Sequence, residues 1–69
     1  MDRVTINKIQ NHLRNTLGSK NLKIEGRENK SDSADVTING EFIGVIFEDK
    51  EDGDICYHLN MTILDIDLN

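Results

Sequence analysis

The stretch from Val36 to Leu64 constrains the fold most, because apolar and polar side chains alternate there around one tight turn. Asn39-Gly40 is a strong hairpin signal, since both residues tolerate the positive φ that a type I′ turn requires. A two-residue turn at this point pairs Ile38 with Glu41, and residues that pair directly share a sheet face. The predicted core face of the hairpin comprises the next pair, Val36 with Ile43, together with Ile38, Val45 and Phe47.

A further strand follows the hairpin, because residues 55–63 alternate strictly between apolar and polar types. A slip of one residue would expose every apolar side chain of this strand, so we expect its register to be well determined. The side chains predicted to face the core are Ile55, Tyr57, Leu59, Met61 and Ile63.

The acidic loop before this strand, Glu48–Asp54, invites comparison with a calcium site. Aligned on Gly53, a loop of the EF-hand type would need side-chain ligands at Lys50 and Leu59, and neither residue can supply one. A solvated turn between two strands is therefore the preferred interpretation.

Residues 4–17 are predicted to form an amphipathic helix, because apolar residues recur there at three- and four-residue spacing. Asp2 or Thr5 can cap its start, and Gly18 lies where a left-handed C-terminal cap is expected. The apolar stripe consists of Ile6, Ile9, Leu13 and Leu17.

Asn21–Arg27 is predicted to be a short edge strand, since Leu22 and Ile24 alternate with charged neighbours. The wholly polar run Glu28–Ser33 is predicted to be a mobile loop. The expected fold is α+β: one N-terminal helix packed on a four-stranded antiparallel sheet in the order α-β-β-β-β. We expect residues 1–69 to form a single domain.

The chain has 69 residues, which limits the size of its core. Cys56 is the sole cysteine, so an internal disulfide is impossible, and the four ligands of a structural zinc site are missing. We therefore predict neither a metal nor a cofactor. The longest apolar run, Phe42–Phe47, is too short to cross a membrane, and no signal peptide is evident. A cytoplasmic protein without membrane contact is expected.

Charge is divided unevenly along this small acidic chain, whose net charge is −5. Residues 1–30 carry seven Lys and Arg against three Asp and Glu, or +4, whereas residues 31–69 carry one against ten, or −9. An acidic surface repels phosphates, which disfavours general nucleic-acid binding. Two interpretations remain: the basic helix lies near an acidic sheet edge, or faces of opposite sign serve different partners.

The reverse face of the sheet, away from the helix, is predicted to carry apolar residues that a single helix cannot cover. Phe42 and Ile46 are placed there on either side of Gly44, where another backbone can approach closely. These three are the candidate interface residues, with another copy of the chain or another protein as partner. Coverage by the termini or loops is the alternative. The same face is predicted to carry Thr37, Cys56, His58, Asn60 and Thr62.

Cys56 and His58 lie two residues apart on one strand and so point to the same side. A Cys–His nucleophile pair also needs a third orienting group and an oxyanion site, and the nearest candidate is Asn60. A half-buried thiol beside a surface histidine is the preferred interpretation. Because the chain has no nucleophile elbow or phosphate-binding loop either, we predict no catalytic residues and no enzyme.

Three segments together resemble one small protein family. They are D-S-A-D-V at residues 32–36, G-E-F-I-G-V-I-F-E-D at residues 40–49 and Y-H-L-N-M-T-I-L-D-I-D-L at residues 57–68. The family is an uncharacterised group of small alphaproteobacterial proteins, the domain of unknown function 3126, and the resemblance covers nearly the whole chain. It implies a bacterial protein with no assigned activity, so it supplies no functional residues.

The function hypothesis is a small protein-interaction module that self-associates through the sheet face. The alternative is a nucleic-acid- or ribosome-associated accessory protein that uses the basic N-terminal helix. Salt separates the two, because nucleic-acid binding weakens steeply as salt rises and an apolar contact does not.

Overall fold

The computed structural model describes residues 1–27 and 29–68, without the side chain of Asp52. The elements are helix α1 (Arg3–Leu17) and strands β1 (Leu22–Arg27), β2 (Lys30–Ile38), β3 (Glu41–Asp49) and β4 (Cys56–Met61). The strands form one antiparallel sheet in the order β1-β2-β3-β4. The predicted α+β fold and its α-β-β-β-β order are thus confirmed. Within the described ranges, no helix is long and apolar enough to span a membrane.

Both ends of α1 are capped as the sequence predicts. Of the two candidate N-caps, Asp2 is the one used: its Oδ1 accepts a 2.7 Å hydrogen bond from the Thr5 backbone N–H. This hydrogen bond favours the carboxylate and lowers the pKa of Asp2 below its ordinary value. At the other end Gly18 has φ 66°, and its N–H donates to the Arg14 carbonyl.

Strand β2 begins earlier than predicted, at Lys30, so the expectation of a loop over residues 30–33 is wrong. Glu28, the first residue of that predicted loop, lies outside the described residues. Lys30 pairs with Arg27 of β1, and Ser33 pairs with Phe47 of β3. Because backbone pairing satisfies the strand whatever its side chains are, a polar sequence did not prevent β structure here.

The hairpin turn has the predicted geometry, but the strands beyond it are offset by a β-bulge. Asn39 and Gly40 have φ 54° and 81°, and Ile38 pairs with Glu41 as expected. Val36, however, pairs with Gly44 rather than with Ile43. The extra residue is Ile43, whose carbonyl accepts a 3.1 Å hydrogen bond from the Thr62 N–H.

The bulge reverses the faces predicted for the rest of β3. Ile46 is in the core at 2% exposure, and Val45 and Phe47 alternate to the reverse face, so the core positions predicted for those two are wrong. The buried core consists of Leu22, Ile24, Ala34, Val36 and Ile46, with Ile6, Ile9 and Leu13 of α1 packed against it.

Helix α1 lies along the β1 side of the sheet rather than across its middle, since its main strand contact is β1. Leu59 of β4 pairs with Ile46, so the register predicted for this strand has the correct face. Tyr57 and Met61 share that face but are 37% and 56% exposed. The β4 side of the core face is therefore left partly uncovered.

Candidate interaction surface

The three candidate interface residues do not lie together on the reverse face. Ile46 is buried in the core, so its predicted placement is wrong, and the bulge at Ile43 is the cause. Gly44 is buried beside β4, where an added Cβ would collide with the Asn60 carbonyl oxygen. As expected, Gly44 allows another backbone to approach closely, but that backbone is the chain's own β4. Phe42 is 56% exposed and remains a candidate contact residue.

Exposed apolar side chains concentrate at β4 and in the segment that follows it. Among the described residues, seven of the eleven exposed large hydrophobic side chains lie between residues 55 and 68. Together with Phe42 they form a group that we call the open surface: Phe42, Ile55, Tyr57, Met61, Ile63, Leu64, Ile66 and Leu68. Such an apolar concentration is typical of a protein–protein contact site.

Two clefts border the open surface. One lies between α1 and the sheet and is lined by Lys8, Ile9, His12, Leu13, Ile46, Tyr57 and Leu59. The other lies at the far end of β3 and β4 and is lined by Glu41, Phe42, Ile43, Met61, Thr62, Ile63, Leu64 and Asp67. The first cleft has basic Lys8 at its rim and the second has acidic Asp67, so the two differ in charge as well as in position.

The accessible surface is large for a chain of this mass. It measures 5427 Å² for 7.8 kDa, whereas about 4,400 Å² is expected of a compact monomer of that mass. The excess of roughly 1,000 Å² is comparable to the approximately 800 Å² that each partner buries in a standard protein interface. The molecule is also elongated, with principal extents of 42 × 23 × 23 Å, and an elongated shape exposes more surface than a compact one.

The two edges of the sheet differ in their hydrogen bonding. At β1 the Ile24 N–H donates to Gln10 Oε1 at 2.9 Å, and the Leu22 carbonyl accepts from Arg14 Nε at 2.8 Å. Helix α1 therefore satisfies outward-facing backbone groups of this edge. In the part of the chain that the structure describes, β4 has a strand neighbour on one side alone, and its other edge can pair with a further strand.

Among the described residues, no ion pair joins the basic helix to the acidic part of the sheet. Arg14 contacts a backbone carbonyl, the ion pairs found among the described residues are Arg27–Asp35 and Lys50–Glu48, and His58 contacts Asp49. None of these joins α1 to the sheet, so internal charge complementarity has no support in the described part of the chain.

Cys56 and His58 lie on the same side of β4, as their spacing predicts, and the Cys56 Sγ–His58 Nε2 distance is 3.4 Å. The third group near them is Asp49 of β3, whose Oδ2 is 3.4 Å from the same ring nitrogen. A catalytic relay engages the two nitrogens of the ring separately, and this arrangement does not. Sequence reasoning considered Asn60 and missed Asp49, which the pairing of Asp49 with Cys56 brings into place.

The acidic loop forms a short 3-10 turn over Glu51–Gly53. Lys50, which disfavoured the calcium interpretation, forms an ion pair of 3.3 Å with Glu48. The expectation that this loop is a solvated turn without calcium stays a prediction.

Comparison with known proteins supports the family resemblance and adds no activity. No functionally curated protein and no solved structure matches the chain significantly. A family model described as "Protein of unknown function (DUF3126)" matches residues 5–67, which include all but the first two residues of α1 and all four strands. The chain therefore belongs to the DUF3126 family.

Proposed function

We propose that this chain is a small protein-interaction module that self-associates through the open surface. The observation that carries the proposal is the concentration of exposed apolar side chains at β4 and segment 62–68, beside an unpaired strand edge. The accessible surface of the chain is larger than that of a compact monomer of the same mass. Burying these side chains against a second copy would remove roughly this excess area from water.

Charge favours a second copy as the partner. Segment 62–68 alternates apolar residues with Asp65 and Asp67 and carries no basic residue. The cleft beside α1 is apolar at its base and has Lys8 and His12 at its rim. In a two-fold dimer, the acidic segment of each copy can lie against the basic cleft of the other, because such a contact occurs twice. The proposal replaces the reverse-face interface with the open surface and keeps Phe42 as a contact residue.

Sedimentation over about 1 to about 500 μM protein tests the proposal. We expect the wild type to associate, and we expect Ile66→Glu and Phe42→Glu each to weaken association by at least about tenfold. Both side chains are exposed, at 74% and 56%, so the folded chain should tolerate the charge. Leu17→Glu is the matched control, since Leu17 is 53% exposed on α1 and lines neither cleft. Amide spectra verify that each variant is folded.

Two outcomes would contradict the proposal. A wild type that remains monomeric throughout the series has no self-association to explain. Equal weakening by Leu17→Glu would mean that association does not use the open surface.

Salt separates the proposal from the nucleic-acid alternative. Raising sodium chloride from about 0.1 to about 0.5 M should raise the dimer dissociation constant by less than about tenfold, because salt screens the contacts between the acidic segment and the basic cleft but not the apolar burial. Binding of single- or double-stranded nucleic acid that falls steeply over the same range would instead favour the accessory-protein alternative, with Lys8 and Arg3 of the helix as contact residues.

A further inference from the structure

We propose that Asp49, Cys56 and His58 form a binding site for one transition-metal ion of the Zn²⁺ type. Each contributes one ligand atom, and the three atoms lie within 4.8 Å of one another. A carboxylate, a thiolate and an imidazole are the side chains that bind zinc in proteins. The inference does not rest on the proposed self-association, because none of the three ligand residues belongs to the open surface.

Two of the three distances between the ligand atoms match those around a tetrahedral ion. Bond lengths to zinc of roughly 2.0–2.3 Å at tetrahedral angles place neighbouring ligand atoms about 3.3 to 3.7 Å apart. His58 Nε2 lies 3.4 Å from Cys56 Sγ and 3.4 Å from Asp49 Oδ2. The ring nitrogen shared by both contacts, which argues against a catalytic relay, is what a single ion bound by all three groups requires.

The backbone arranges these side chains before any ion binds. Asp49 pairs directly with Cys56 across β3 and β4, so the two side chains lie on the same face. His58 follows two residues later on that face. The Glu51 N–H donates to Asp49 Oδ1 at 2.9 Å, which orients the carboxylate and leaves Oδ2 for the ion.

The ligand set also indicates which ions bind and how. A thiolate and an imidazole favour Zn²⁺ and Co²⁺ over Ca²⁺ and Mg²⁺, which prefer oxygen ligands. Three protein ligands leave the fourth position of a tetrahedral ion for water or another exchangeable group. Cys56 and His58 are exposed, so an ion can enter from solvent. The site is thus an open one rather than a closed structural one.

Cobalt titration of the metal-free protein tests the site, because Co²⁺ bound to a thiolate has a charge-transfer absorption that carboxylate and imidazole ligands do not produce. We expect one Co²⁺ per chain, loss of this band in Cys56→Ser, and affinities reduced at least about tenfold in Asp49→Asn and His58→Gln. Zn²⁺ should displace Co²⁺, and an excess of Ca²⁺ should not.

Matched controls use the same residue types elsewhere in the chain. His12→Gln and Asp54→Asn should bind Co²⁺ like the wild type. Ile66→Glu should also bind Co²⁺ like the wild type, even if this variant no longer self-associates. Absence of the thiolate band would overturn the proposal. Wild-type affinity in both Asp49→Asn and His58→Gln would also overturn it, because the cysteine would then bind metal without the predicted partners. Amide spectra of each variant exclude unfolding as the cause.

Discussion

β1 and β4 are the two edge strands of one sheet, and they meet very different surroundings. β1 carries the buried residues Leu22 and Ile24, and α1 both covers its face and binds its outer edge through Gln10 and Arg14. Along β4, Leu59 is half-buried and every other side chain is exposed. Strands that follow the same pairing rules therefore differ in burial because one helix covers one half of the sheet.

The comparison shows that an apolar alternating sequence specifies which residues share a face, but not whether that face is covered. The helix stripe, Ile6, Ile9 and Leu13, packs against the buried core, but the main strand contact of α1 is β1, at the opposite edge of the sheet from β4. The uncovered half is what the proposed dimer would bury.

Ile46→Ala should destabilise the chain by about 2–5 kcal/mol, because Ile46 is fully enclosed at the junction of the two halves. Leu59→Ala, on the neighbouring strand, should cost only about 1–2 kcal/mol, since its side chain is half-buried. Urea unfolding at the lowest practical protein concentration measures both. Equal costs would mean that β4 is as well covered as β3 and would remove the difference between the halves.

Gln10→Ala should destabilise the chain by about 1–2 kcal/mol, because the partly buried Ile24 N–H loses its acceptor. Hydrogen exchange should show faster exchange at Ile24 in this variant. Gln10→Glu is the matched control, since it keeps a side-chain oxygen at the same distance from the backbone. Unchanged protection of Ile24 in Gln10→Ala would show that the helix does not protect the β1 edge.

The charge on Asp2 should have the smallest effect on the stability of the folded chain, and this effect should depend on pH. Because folding lowers the pKa of Asp2, its carboxylate stabilises the folded chain above the unfolded pKa of about 3.9, and this contribution disappears as pH falls through the lower folded pKa. Asp2→Asn keeps a capping oxygen but not the charge. The stability difference between wild type and variant should therefore be present at neutral pH and vanish in strong acid. A difference that persists unchanged in acid would contradict this account.

Local features were predictable because they depend on neighbouring residues. The helix predicted over residues 4–17 is found over Arg3–Leu17, with Asp2 and Gly18 as its caps. The Asn39-Gly40 turn has the two positive φ angles that its sequence requires. The prediction that Leu59 lies on the core face of β4 was also correct, because apolar and polar residues alternate strictly around it.

The sequence could not reveal the bulge, because apolar side chains occupy both faces of residues 42–47 and the pattern fits either register. Tertiary packing selects the register of β3. Ile46 is buried in the core, and Gly44, which has no side chain, allows β4 to lie close to the β3 backbone.

Helix α1 with its Gly18 cap and the Asn39-Gly40 turn thus follow from interactions between residues close in the chain, and the order of the elements follows from their sequence patterns. The tertiary structure alone decided which half of the sheet α1 covers and which side chains from different strands meet. Asp49 joins Cys56 and His58 for that reason, because the contact depends on the register between two strands joined by an irregular loop. The open surface has the same origin, since the reach of one helix across a sheet is a property of packing and not of periodicity.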